Sequence, residues 1–173
     1  HRRPGSEHNY RSYRIQLSPR LKIRDNSHAF ITFFFSARQA GAKLTNRFIM
    51  AELRGYFRFK KIHRLAMRLR GDTLDQGEDK SQFPLEVNHG LRGYPPRRID
   101  GSKRLLFNLE ARPTLYRHAL FVLAGALFVD GGKAWTPGLS RAAFKLGVGA
   151  GPRIGLPRIY NTPILRADLA YEL

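Results

Sequence analysis

The chain has 173 residues, with 31 Lys+Arg against 13 Asp+Glu, a formal net charge of +18 and no cysteine. The missing Cys excludes a disulfide scaffold and thiolate metal sites, and no run of about 18 apolar residues is available for a membrane-spanning helix. A charge this high is the usual mark of a nucleic-acid binder, but the basic residues recur at alternate positions along the whole chain instead of forming a tail or one dense patch.

The first residues, His1-Arg2-Arg3-Pro4-Gly5, are polar and no apolar core follows them, so no signal peptide is read there. The expectation is a chain that begins inside a larger protein or has lost its address. From Tyr13 to Arg24 the odd positions are Tyr13, Ile15, Leu17, Pro19, Leu21 and Ile23, and the even ones are mostly Arg and Lys. Period two with one oily and one charged face predicts a strand. Ala29 to Ala37 repeats it, with Phe30 and Phe34 blurring the polar face, and Glu52 to Lys60 sets Leu53, Gly55, Phe57 and Phe59 against Glu52, Arg54, Tyr56, Arg58 and Lys60. Arg64 to Arg70 follows the same rule. After a long polar connection, Asp72 to Ser102, come strands predicted over Leu105 to Ala111, Ala119 to Asp130, Phe144 to Ile154 and Ile164 to Leu173.

The total is about eight strands, each near the 9 to 11 residues a tilted strand needs to cross a bilayer. One face is repeatedly Arg and Lys, the other repeatedly Leu, Phe, Ile and Ala, whereas the outer face of a soluble sandwich mixes acids, bases and Ser/Thr. The expected fold class is therefore all-β, an antiparallel transmembrane β-barrel with lipid on the apolar side and a basic, water-filled interior. Short turns such as Lys60-Lys61-Ile62-His63 alternate with long connections, which fits short turns on the inner side of a membrane and long loops outside. Trp135 and Tyr160, near strand ends, read as interfacial girdle aromatics.

Three pieces break the pattern: Gly90-Leu91-Arg92-Gly93-Tyr94, Asn108-Leu109-Glu110 and Phe128-Val129-Asp130-Gly131-Gly132. An arginine between Gly-containing turns reaches far from its backbone, and its planar fork pairs bidentately with carboxylates. The combination suggests an arginine-tipped loop latched inside a barrel. Parity agrees, because Asn108, Glu110 and Arg112 share a face opposite Leu105, Phe107, Leu109 and Ala111, and Asp130 is in phase with Ala124 and Ala126, small residues that leave room for a loop.

Four blocks in this order, Leu91-Arg92-Gly93-Tyr94, the strand Arg104 to Arg112, the stretch Phe128 to Trp135, and Gly147 to Gly155 followed by Ile164 to Leu173, resemble the C-terminal barrel domain of the BamA-like outer-membrane insertase and two-partner-secretion transporter superfamily, also called bacterial surface antigen. The resemblance covers roughly residues 45 to 173. It implies that Arg92 is the loop arginine, that Gly93 and Tyr94 shape the loop tip, and that Glu110 and Asp130 are acids of the barrel wall. It also implies a 16-stranded barrel of which residues 1 to 173 form the C-terminal half, one strand short of the end. The function implied is assembly or secretion of polypeptides at the bacterial outer membrane, without bond chemistry or cofactor. The implied partners are outer-membrane lipid, polypeptide substrates and periplasmic or lipoprotein accessory subunits, with no nucleic acid.

Gly90 and Gly132 are taken as loop and wall glycines. Gly147, Gly149 and Gly151 alternate with Leu146, Val148 and Ala150 within one strand, so they are expected to thin the wall where the loop packs, not to cradle phosphate. The histidines, His1, His8, His28, His63, His89 and His118, lack metal-ligand spacing, and no nucleophile elbow, P-loop or Cys–His pair is present. Two readings stand beside the transporter: the membrane anchor of a patatin-like phospholipase, and a soluble basic all-β protein that binds nucleic acid.

Overall fold

A computed structural model of the chain describes residues 11–24, 26–40, 42–59, 63–75, 90–94, 101–138, 143–157 and 163–173. These residues form one antiparallel sheet and no helix. Its strands are β1 (Arg11–Leu17), β2 (Arg20–Arg24), β3 (Ser27–Ala40), β4 (Lys43–Phe59), β5 (His63–Asp75), β6 (Lys103–Arg112), β7 (Thr114–Arg117), β8 (Val122–Trp135), β9 (Lys145–Gly155), β10 (Pro163–Arg166) and β11 (Leu169–Glu172). The eleven segments occupy eight places, because β1 and β2 both pair with β3, β6 and β7 both with β8, and β10 and β11 both with β9. Consecutive places are neighbours throughout, and the strands at the two edges are not paired with each other.

Three interruptions follow from proline, which cannot donate to a ladder. Pro19 separates β1 from β2, and its carbonyl accepts from the Ile31 amide instead. Pro113 separates β6 from β7 and accepts from Gly125. The break between β10 and β11 lies opposite Pro152, whose carbonyl takes the Ala167 amide at 3.5 Å.

Register lays the side chains out in rows across the sheet. One row runs Phe30, Arg54, Arg68, Asn108, Asp130 and Gly147; the next runs His28, Tyr56, Ala66, Glu110, Phe128 and Gly149; a third runs Thr32, Glu52, Arg70, Leu106 and Gly132. All belong to one face. The opposite face carries Ile15, Ile31, Phe33, Ile49, Leu69, Leu105, Leu127, Val129 and Leu169, every one exposed. The sheet thus has an uncovered apolar side and a polar side against which the only buried cluster, Leu91, Tyr94, Leu106 and Ala134, is built among the described residues.

Several expected boundaries are corrected. Tyr13 to Arg24 is two strands, broken at Pro19. β5 runs on to Asp75, so Asp72 lies within a strand and is not the start of the long connection; Arg70 and Arg104 neutralise it there. The strand expected from Ala119 starts at Val122, since the His118 amide donates to the Phe121 carbonyl in a turn. Ile164 to Leu173 is broken at Ala167-Asp168. The turn residues Lys60, Lys61 and Ile62, the bulk of the central connection and Tyr160 lie outside the described residues, while Trp135 ends β8 with Lys133 stacked 5.3 Å from its ring.

Candidate functional site

Residues 90–94 lie on the polar face over β6, β8 and β9. Gly90 (φ 109°) and Gly93 (φ 93°) hold left-handed backbone, which side chains with a Cβ rarely adopt, and so turn the loop on either side of Arg92. Apolar contact seats it: Leu91 and Tyr94 are fully buried on Leu106 of β6 and Ala134 of β8. The Tyr94 hydroxyl donates to the Leu146 carbonyl at 2.7 Å, and Asn108 Nδ2 donates to the Gly90 carbonyl.

Arg92 fills the space so made. Its Nε and Nη2 donate to the two Asp130 oxygens at 2.6 and 3.0 Å, its backbone amide adds a 3.2 Å bond to Asp130, and Nη1 donates to Glu110 at 2.6 Å. The guanidinium carbon stands 3.4 Å from the centre of the Phe128 ring, a cation–π contact from the wall side. Asp130 is wholly buried and Glu110 nearly so, so these charges meet where water screens them little. Burial by itself weakens the Arg92 charge; the bonds to Asp130 and Glu110 outweigh it and hold the guanidinium above its ordinary range.

The carboxylates are in turn oriented by the sheet. Asn108 donates to Asp130 at 2.8 Å, and Arg112 Nε to Glu110 at 2.6 Å. Buried Arg153 of β9 lies 3.5 Å from Glu110 and 2.5 Å from Asp168, the residue at the break before β11, which also takes Arg166 at 2.7 Å and stands 3.6 Å from Arg92. The network therefore joins the loop to β6, β8, β9 and the last strand.

Of the residues singled out from sequence, Arg92, Gly93, Tyr94, Glu110 and Asp130 come together here, with Gly90 at the loop's entry. Gly132 lies between Leu106 and Lys145 in register. Gly147 sits under the loop, where a Cβ would be 2.7 Å from the Arg92 carbonyl oxygen. Gly149 and Gly151 are different: their Cβ atoms would meet the Leu169 and Ala167 carbonyls at 2.2 and 1.8 Å, so they admit the backbone of the last strand instead of the loop. Phe128, Asp168 and Arg153 were not anticipated. Phe128 had a signal, because it shares the phase of Asp130; Asp168 had none, since its place depends on a break in the strand.

Among the described residues no group of His, Asp and Glu could hold a metal ion. Comparison with known protein families, with curated proteins and with solved structures finds no match. The site is thus described by its own geometry, a loop arginine held between two acids of the sheet's polar face.

Proposed function

We propose that the chain is part of an outer-membrane β-barrel of the BamA-like insertase and transporter type, in which the Arg92 loop folds into the lumen and braces the wall. The observation that carries this reading is the fork of Arg92 on Asp130 and Glu110, which ties a segment between β5 and β6 to the middle of the sheet's polar face. Wall and loop are complementary: glycine where loop backbone passes, an aromatic under the guanidinium, two acids at its ends. The opposite face supports a lipid-facing assignment, since its exposed Ile, Leu, Phe and Val side chains run across all eight places of the sheet, far beyond the apolar patches a soluble monomer leaves in water. The chain's partners would then be outer-membrane lipid and polypeptide in transit, and its part in transport mechanical.

Expression in a Gram-negative host tests the reading. The chain should sediment with outer membranes, resist extraction by alkaline carbonate and need detergent to stay dispersed; a monodisperse monomer in plain buffer would sink it. In reconstituted vesicles, polypeptide insertion or passage should fall with Arg92→Ala at unchanged protein abundance.

A further inference from the structure

The apolar face of the sheet does not stop where its strands do. After β7 the chain reverses within residues 117–121, closed by the His118 amide donating to the Phe121 carbonyl at 2.9 Å. The Leu120 amide donates to His118 Nδ1 at 3.3 Å, which leaves Nε2 as the ring's N–H donor. Leu115, Tyr116, Leu120 and Phe121 are 66%, 54%, 58% and 39% exposed at this tip, and the rings of Tyr116 and His118 stack at a tilt on Phe121, with centroids 5.7 and 5.5 Å away. Its charge is one-sided: no acid stands between Glu110 and Asp130, whereas Arg112, Arg117 and His118 do. Glu110 and Asp130 are committed to Arg92 and Arg112 on the polar face, so exposed Arg117 has no carboxylate beside it among the described residues.

The far end of β8 repeats the arrangement. Trp135 has Lys133 over its ring, and between Phe121 and Lys133 the same face holds Leu123, Gly125, Leu127, Val129 and Gly131. Fourteen positions separate Phe121 from Trp135, about 46 Å at about 3.3 Å per residue, or about 33 Å across for a strand tilted by about 45°. The hydrocarbon layer of a bilayer is about 30 Å thick. That spacing suits two aromatic and cationic sets standing in the two interfaces, with the cations at headgroup level.

We infer that the hairpin tip, residues 115–121, is a docking site for anionic phospholipid. Leu115, Tyr116, Leu120 and Phe121 enter the boundary between headgroups and acyl chains of one leaflet, while Arg117 and His118 Nε2 donate to a headgroup phosphate. A zwitterionic headgroup brings its own cation to the same phosphate, so a lipid of net negative charge is preferred. The inference rests on the membrane reading, and its test separates the two.

The chain has no cysteine, so an environment-sensitive dye can be placed singly at Ala119→Cys in the tip or at Leu127→Cys, 59% exposed in the middle of the apolar face. With the full chain in phosphatidylcholine vesicles, the dye at 127 should emit as in hydrocarbon whatever the lipid charge. The dye at 119 should shift saturably toward apolar emission as phosphatidylglycerol replaces phosphatidylcholine. Arg117→Gln should raise the phosphatidylglycerol fraction that gives half the shift by about fivefold, the effect of one cation at an anionic surface. Arg117→Lys, which keeps the charge, should stay close to the parent, and an unchanged signal at 127 shows that each variant is folded. A dye at 127 that stays in water removes the membrane reading and this site with it. With 127 in hydrocarbon, the site alone is overturned by a dye at 119 that stays in water at every composition, shifts equally in both lipids, ignores Arg117→Gln, or responds to Arg117→Lys as to Arg117→Gln. A shift that follows the ratio of protein to lipid instead of lipid charge would put a second copy at the tip, and overturns it too.

Discussion

The two halves of the polar face handle charge in opposite ways. Across β4, β5 and β6 the polar face neutralises itself: Glu52 and Asp72, both buried, are each pinned by arginines of their own strand and of the next, Glu52 by Arg54, Arg68 and Arg70, and Asp72 by Arg70 and Arg104. Across β6, β8 and β9 the wall keeps an unfilled place. Asp130 is completed chiefly by an arginine that arrives from another part of the chain, and the positions around it, Ala126, Gly132, Ala134 and Gly147, are small. The first arrangement strengthens strand pairing; the second makes the sheet incomplete without its loop. Both use the same residue types, so composition alone does not tell a wall from a socket. What separates them is where the wall lacks side chains.

The largest effect should come from the socket. Asp130→Asn or Arg92→Ala leaves a buried charge without its partner, at a cost of about 3 to 5 kcal/mol. A cysteine placed at the buried Leu91 position should then react readily with a maleimide, while in the parent background it stays protected. Arg92→Lys should behave almost as Arg92→Ala, because a single ammonium cannot reproduce the fork on both acids. Protection of that cysteine in Asp130→Asn would mean that apolar seating alone holds the loop.

Next come the missing side chains. Gly149→Ala drives a Cβ to 2.2 Å from the Leu169 carbonyl, backbone that cannot swing aside, and overpacking of this kind costs up to about 3 kcal/mol. Gly147→Ala acts on the loop by the same means, through the Arg92 carbonyl. Gly71→Ala is the matched control, with nothing within 4 Å of its Cβ, and should unfold in urea like the parent. Equal midpoints for Gly71→Ala and Gly149→Ala would show that the last strand does not need the glycine row.

Glu52→Gln tests the self-neutralised half. Its partners Arg54 and Arg68 keep 47% and 25% of their side chains exposed, so water takes over part of the lost pairing. The expected loss is about 1 to 2 kcal/mol in the unfolding midpoint, with the cysteine at position 91 still protected. Exposure of that cysteine would mean the two halves are one cooperative unit.

Period two was enough to read an all-β antiparallel sheet and the polarity of its two faces, because a strand with one apolar and one polar face cannot hide its alternation. Arg92, Glu110 and Asp130 were legible for the same reason: each acid falls in phase with the polar wall, and only an arginine between glycines could reach both. Strand ends were less legible. β4 starts at Lys43, well before Glu52, since the register shift between Ser36 and Arg38 resets the phase opposite Thr45 and hides the first residues from strict alternation. The extent of the network was not legible either. Arg153 and Asp168 meet only because the last strand breaks opposite Pro152, and that distance is not encoded in the spacing of either residue.

The smallest effect separates a lock from an ordinary surface pair. Arg47 in the first part of β4 faces Asp75 at the end of β5, and their contact is close, but their side chains are 53% and 59% exposed. Solvent and salt screen such a pair, and fixing two mobile side chains consumes much of what remains, so Asp75→Asn should cost less than about 1 kcal/mol. Arg92 and Asp130 share the same chemistry with 12% and 0% exposure. Raising salt from 0.05 to about 0.5 M should therefore erase the small Asp75→Asn difference while leaving most of the Asp130→Asn difference in place. If both faded together, the Arg92 pair would be open to water, and the loop would be held by Leu91 and Tyr94 alone.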